Sequence, residues 1–241
     1  MIIGKAMINH QPYIENLDYF RRLLDCFRYI NKAELGKTEE FIASFSPNQF
    51  QSKQWLMNKI DELNLISNKT KVAVLGCKFG SVLFPELLKR NVDMIYGYEM
   101  DKYVTPVSKM LFKKFDNELY CKIFDKVKFI DQDIWVKRPR YLDETDMTIN
   151  TSCEHMPPMK YWSYYKYGTY VFQSTNTDKT FSGSVKVGHI NCVKNIDDFQ
   201  SQMHPMLEIL WSGEENIVYP ANNKENIETV YGKRFMIIGR M

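Results

Sequence analysis

KVAVLGCKFG (71–80) is the stretch whose reading decides the fold. Its first half is a short, continuous apolar run that closes on glycine. That pattern reads as a buried strand entering a tight turn. SVLFPELLKR (81–90) then reads as a helix, with Pro85 early enough that its missing N–H costs no hydrogen bond. DMIYGYE (93–99) returns to a strand. Strand, turn, helix, strand is the unit of a parallel sheet, whose buried strands look uniformly apolar.

The same rhythm continues downstream. Asp101 is placed to cap a helix running to about Phe115, with Pro106 in its early part. KVKFIDQD (126–133), DMTIN (146–150) and TYVFQS (169–174) supply three more strands. NIDDFQSQM (195–203) reads as a helix with Asn195 at the cap and Asp198 three residues on. LEILW (207–211) and RFMIIGR (234–240) follow without a good helix between them, which predicts an antiparallel pair. Upstream, residues 12–34 carry apolar positions at three- and four-residue spacing (Ile14, Leu17, Phe20, Leu23, Leu24, Phe27). A further helix is expected from Ser46 and Pro47, with Leu56, Ile60 and Leu63 as its stripe, until SNKT (67–70) breaks it. The expected organisation is a helical segment, 1–68, before an α/β domain, 69–241.

Composition bounds the function. The chain has 241 residues, 44% hydrophobic and 25% charged, which suits one globular core. No apolar run approaches the roughly 18 residues of a membrane span, and the first residues lack the apolar stretch of a secretory signal. Five widely spaced cysteines without a CxxC fit reduced thiols, so a cytoplasmic location is expected. A net charge of +3 is too mild to argue for a nucleic-acid binder by itself. Residues 101–140 hold ten Lys/Arg against six Asp/Glu, a local excess of +4 that a solvated helix face and a basic loop would explain.

Parallel sheets bind ligands beyond the carboxyl ends of their strands. At the first end, GCKFG (76–80) offers a glycine turn on which a ligand can rest, or a tight turn and nothing more. A dinucleotide fingerprint would need glycines at 76, 78 and 81, and Lys78 and Ser81 disfavour it. At the second end, Glu99 is spaced to accept bonds from both hydroxyls of a ribose. At the third, Asp133 suits an exocyclic purine amine, with Ile134 or Trp135 against the ring; a solvated acid is the alternative.

Taken in chain order, these features resemble the class I S-adenosylmethionine-dependent methyltransferases over about residues 71–240. VAVLGCKFG, GYEMD, DQDIW and DMTINTSCEHM fall on their successive strand-end motifs. The resemblance implies a Rossmann-like, seven-stranded, mostly parallel sheet with an antiparallel C-terminal strand pair. It implies S-adenosylmethionine as cofactor, held by Gly76, Gly80, Glu99, Asp133 and Ile134. Val74 and Lys78 stand where that superfamily usually has an acid and a glycine. QSKQWL, VAVLG, NTSCEH, VFQS, HINC and RFMIIG also resemble an often phage-encoded family within it, which names no acceptor. NQFQSKQWL (48–56) looks like a segment that covers the cofactor in some members, with Gln51, Ser52 and Lys53 toward its methionine end; a helix packed on the sheet is the plainer alternative.

NTSCEHMPP (150–158) is the candidate acceptor loop. It is not the (N/D)PP(Y/F) loop of base N-methylation. Glu154 or His155 suits a general base, and Asn150 can bond an acceptor. Cys153 would need a thiolate, which its acidic neighbour disfavours. VGHINCV (187–193) adds His189 and Cys192, but recognised zinc sites have tighter spacing, so no metal is expected. The aromatic run YWSYYKYGTYVF (161–172) serves either stacking on a flat substrate or the core. The implied partner is a methyl acceptor, whether a small molecule, a nucleotide or a nucleic acid, with no membrane. The rival readings are a methyltransferase-like binding or assembly module without activity, or an enzyme that cleaves the cofactor.

Overall fold

A computed structural model describes residues 11–33, 36–112, 125–177, 188–219 and 229–241. Three helices come first: α1 (Gln11–Lys32), α2 (Thr38–Ala43) and α3 (Pro47–Glu62). Then follow β1 (Lys71–Leu75), α4 (Leu83–Lys89), β2 (Met94–Glu99), α5 (Val104–Leu111), β3 (Val127–Asp131), β4 (Met147–Asn150) and β5 (Thr169–Thr175). Helix α6 (Ile196–Ser201) precedes the long strands β6 (Glu208–Tyr219) and β7 (Thr229–Arg240). The sheet is seven-stranded in the order β3-β2-β1-β4-β5-β7-β6. Strands β1 to β5 pair in parallel, and β7 runs antiparallel to both β5 and β6. The expected fold class is therefore observed.

The two-residue period of the strands splits the core into two layers. Val72, Val74, Met147, Ile149, Val171, Met236 and Ile238 face the layer shared with α1 to α5. Ala73, Leu75, Tyr170, Phe172, Phe235 and Ile237 face the layer beneath α6 and the one-turn helices of the β4–β5 connection. The N-terminal helices share the first layer, contributing Cys26, Ile30, Phe41, Leu56, Met57 and Ile60. Most of the aromatic run belongs to the second, where Trp162, Tyr165, Tyr170 and Phe172 pack against one another.

Several expectations shift in detail. On α1, Leu24 is 53% exposed, and Arg22 and Cys26 turn inward instead. Arg22 is drawn in because its guanidinium donates to the Leu111 carbonyl at the end of α5 (3.3 Å), where helix carbonyls lack partners. Ser46 occupies the cap position of α3, but its hydroxyl makes no cap bond. Asp101 does accept from the Tyr103 N–H (2.9 Å) just before α5, whose described part ends at Leu111; the expected continuation to Phe115 lies outside the described residues. Asn195 caps α6 as expected, accepting from the Asp198 N–H at 2.8 Å.

One side-chain pair fixes α3 on the sheet. Ser52 Oγ donates to Gln173 Oε1 (3.0 Å), and Gln173 Nε2 donates back to the Ser52 carbonyl (3.1 Å), with both residues buried. Ser52→Ala would leave the buried Gln173 oxygen without that donor, at a cost of about 1–3 kcal/mol. Urea unfolding should show this loss with little change in the slope of the transition.

Candidate active site

The chain proceeds outward from β1 to β3, then returns to place β4 on the other side of β1. Leu75 and Asn150, the last residues of β1 and β4, are register partners, so the two following loops diverge from one point. A cleft of about 690 Å³ opens there. A second groove, about 640 Å³, follows the edge of β3 and shares only Gln132 with the cleft; it holds none of the expected site residues.

The turn after β1 forms one wall. Gly76, Lys78 and Gly80 all have positive φ, at +59°, +48° and +64°. Glycine adopts this region freely, whereas lysine does so at a cost of about 1–2 kcal/mol. What holds Lys78 there is Glu99: the Lys78 N–H donates to Glu99 Oε2 (2.8 Å), and the Asp101 N–H donates to Oε1 (2.9 Å). Glu99 is 9% exposed at the tip of β2 and lines the cleft. Each of its oxygens keeps acceptor capacity beyond these bonds.

Asp133 and Ile134 form the far end. Asp133 Oδ1 accepts from the Trp135 N–H (2.8 Å), which fixes the turn after β3. Ile134 is 5% exposed, with its carbonyl bonded to Trp162 Nε1 (3.0 Å). Gly76, Gly80, Glu99, Asp133 and Ile134 thus line one cleft.

The 150–158 loop closes the opposite end. It is tied to the turn by Ser152 Oγ, which donates to the Gly76 carbonyl (3.3 Å). Asn150 is not among the cleft-lining residues. It is fully buried, its carbonyl oxygen accepts from the Ser152 N–H (2.9 Å), and its amide nitrogen faces the sulfurs of Met156 and Met159. Its geometry is that of a loop-shaping residue. Cys153 is buried too, and burial together with the Glu154 charge pushes its thiol well above the usual range.

Glu154 and His155 do line the cleft, and they meet a segment far away in sequence. Ile190 and Asn191 both donate their N–H to the Glu154 carbonyl (2.9 and 3.0 Å). That pairing sets His189 edge-on to His155, with ring centroids 4.6 Å apart. Glu154 is 5% exposed, its Oε1 is 3.8 Å from Arg234 Nη1, and its Oε2 is buried without a hydrogen-bond partner among the described residues. Burial holds His189 below the usual imidazole range, against the opposing pull of Glu154.

Arg234 was not among the expected site residues, whereas Lys53 was named only as one of three residues toward the methionine end of a cofactor. Both are more than nine-tenths buried and both line the cleft. Burial lowers the Lys53 ammonium to about 7; Arg234 adds to the shift and Glu154 opposes it. The signals available in sequence were faint: a lysine inside a helix stripe and an arginine opening an apolar strand.

No family model and no curated protein matches the chain. Solved structures do. The methyltransferase domain of bacterial CtHen1-C matches with a TM-score of 0.55 at 12% identity, over 80% of this chain and 98% of that one. The MccD protein matches at 0.56 and 10%, over 77% and 96%. Coclaurine N-methyltransferase bound to N-methylheliamine and SAH matches at 0.51 and 10%, over 78% and 72%. At such identities the likeness is one of fold: the chain shares the architecture of the class I methyltransferases.

Three stability outcomes follow from the cleft. A Cβ at Gly80 would meet the Phe84 ring at 2.8–2.9 Å in a left-handed backbone, so Gly80→Ala should cost about 1–3 kcal/mol. Lys78→Gly relieves strain and removes only a half-exposed ion pair with Glu40, so denaturant melts should show it unchanged or up to about 1 kcal/mol more stable. The third outcome concerns Lys53, which an unfolded chain keeps charged up to about pH 10, whereas the folded chain releases its proton near 7. The cost of the buried cation is therefore full below pH 7 and declines as pH rises, because the unfolded state then binds more protons. Lys53→Met should raise Tm most below pH 7, with a gain that shrinks toward pH 10 in scans across that range.

Proposed function

We propose that the protein is an S-adenosylmethionine-dependent methyltransferase. The observation that carries this reading is Glu99, a buried carboxylate at the tip of β2 that faces the left-handed 76–80 turn across the cleft. Its free acceptor capacity suits a pair of ribose hydroxyls. Asp133 would take the exocyclic amine of adenine, with Ile134 against the ring, while Gly76 and Gly80 shape the turn. When bound, the cofactor supplies an electrophilic methyl group on a sulfonium centre.

The acceptor belongs at the other end, near Glu154, His155 and His189. Orientation of the acceptor in line with the methyl is the main requirement of such a transfer. Arg234 is a standing cation at that end, and Lys53 adds charge below about pH 7, which favours a ligand bearing an anionic group. Asn150 keeps the loop in shape, leaving Glu154 and His155 as the residues placed to accept an acceptor proton. The aromatic run contributes packing for the most part, which weakens the case for a stacked base.

Isothermal titration with S-adenosylmethionine and its demethylated product tests the cofactor assignment. The wild-type chain should bind both. Glu99→Gln should weaken binding by about 10- to 100-fold, the loss expected for hydrogen bonds to a charged group at roughly 1.5–3 kcal/mol. Absence of binding by the folded chain would overturn the assignment. Binding without transfer of labelled methyl to any host component would favour the assembly-module reading instead.

A further inference from the structure

The acceptor end of the cleft holds three side chains arranged as a ligand set. One donor atom each from Glu154, His155 and His189 can be chosen so that all lie within 4.8 Å of one another. They come from two segments joined by the paired bonds of Ile190 and Asn191 to the Glu154 carbonyl. The two imidazoles are anchored in the same way. His155 Nδ1 faces the Gly188 carbonyl (3.2 Å), and His189 Nδ1 faces the Thr177 carbonyl (2.7 Å). A carbonyl only accepts, so each Nδ1 carries a proton, and in the neutral ring Nε2 is the nitrogen left to bind an ion. Metal-ligating histidines are held in this way, with the far nitrogen donating to a carbonyl or carboxylate.

Glu154 supplies an independent sign. Its Oε2 is buried and lacks a partner among the described residues, and the same is true of Arg234 Nε. An ion pair built for its own sake would bring these two atoms together. Instead the guanidinium stands 3.8 Å from the other oxygen, Oε1. A buried acceptor left in this state costs about 1–3 kcal/mol, or more when it is charged, so the arrangement fits a site that awaits a cation.

We propose that Glu154, His155 and His189 bind a divalent first-row transition-metal ion at the acceptor end of the cleft. Two imidazole nitrogens and one carboxylate oxygen suit zinc, iron, cobalt or manganese, and leave coordination positions open. All three ligands line the cleft, so water or an acceptor oxygen completes the shell from that side. Two ligands on one ion stand at most about 4.2 Å apart, given metal–nitrogen bonds of about 2.1 Å. The widest pair, at up to 4.8 Å, must therefore close by roughly half an ångström. His155 is exposed and can make that adjustment. Arg234 and Lys53 oppose a further positive charge, and this lowers affinity unless the ligand completing the shell is anionic. The site does not depend on the cofactor assignment, and with the ion bound Glu154 and His155 serve as its ligands in place of accepting an acceptor proton.

Cobalt(II) titration of tag-free protein, without the cofactor, tests the site through its visible absorption. One equivalent should bind saturably, and zinc should displace it. Glu154→Gln, His155→Ala and His189→Ala should each weaken binding at least tenfold, with folding checked by circular dichroism. Cys192→Ser should leave binding unchanged, although Cys192 Sγ lies 3.6 Å from His189 Nδ1. No saturable binding by the folded wild-type chain would overturn the proposal. So would binding that survives all three ligand substitutions, or binding that is lost in Cys192→Ser.

Discussion

Two backbone N–H groups on one buried carboxylate hold the site together. Glu99 takes the N–H of Lys78 with one oxygen and that of Asp101 with the other. These bonds tie the turn after β1 to the turn after β2, and they make a left-handed lysine tolerable where glycine would be unstrained. The same two residues connect outward by charge. Lys78 pairs with Glu40 and Asp101 with Lys37, both on the approach to or within α2, and Lys37 and Glu40 pair with each other. A short helix is thereby drawn over the cleft. Most of these ion pairs are partly exposed and contribute little individually, but their anchor is the buried carboxylate.

The sheet was largely legible because its strands obey simple rules. β1, β2, β4 and β5 are short apolar runs bounded by polar or glycine residues, as buried parallel strands must be. β6 was not legible. Only its opening, 207–211, looks like a strand, yet it runs from Glu208 to Tyr219. The remainder, SGEENIVY, is held by backbone bonds to β7 at the sheet edge, where one face meets solvent and apolar residues are not required. Helix α2 was missed for a related reason: six residues carry too little periodicity to register, and Phe41 alone anchors it in the core.

The candidate site divides along a similar line. The end of the cleft proposed for the cofactor follows chain order, so Gly76, Glu99 and Asp133 could be located from strand ends alone. The opposite end depends on long-range pairing. Asn150 looked reactive by composition, yet burial turns it into a structural element. Glu154 and His155 meet His189 only because Ile190 and Asn191 return to the Glu154 carbonyl. The sequence offered His189 as a second cluster that could join them, but not the backbone pairing that brings it there. Lys53 and Arg234 enter from α3 and β7, the last helix before the sheet and the last strand of the chain.

The reciprocal bond between Ser52 and Gln173 has an angular meaning. A helix lying on a sheet can roll about its axis, and each residue of roll is a rotation of roughly 100°. Ser52 is bonded through both its hydroxyl and its carbonyl, so α3 is fixed against rolling as well as sliding. The next residue is Lys53. A single step of roll would carry its ammonium out of the cleft and bring a neighbour of different charge into its place. The polarity of that end of the cleft is thus set by the rotational setting of one helix, held by one serine and one glutamine.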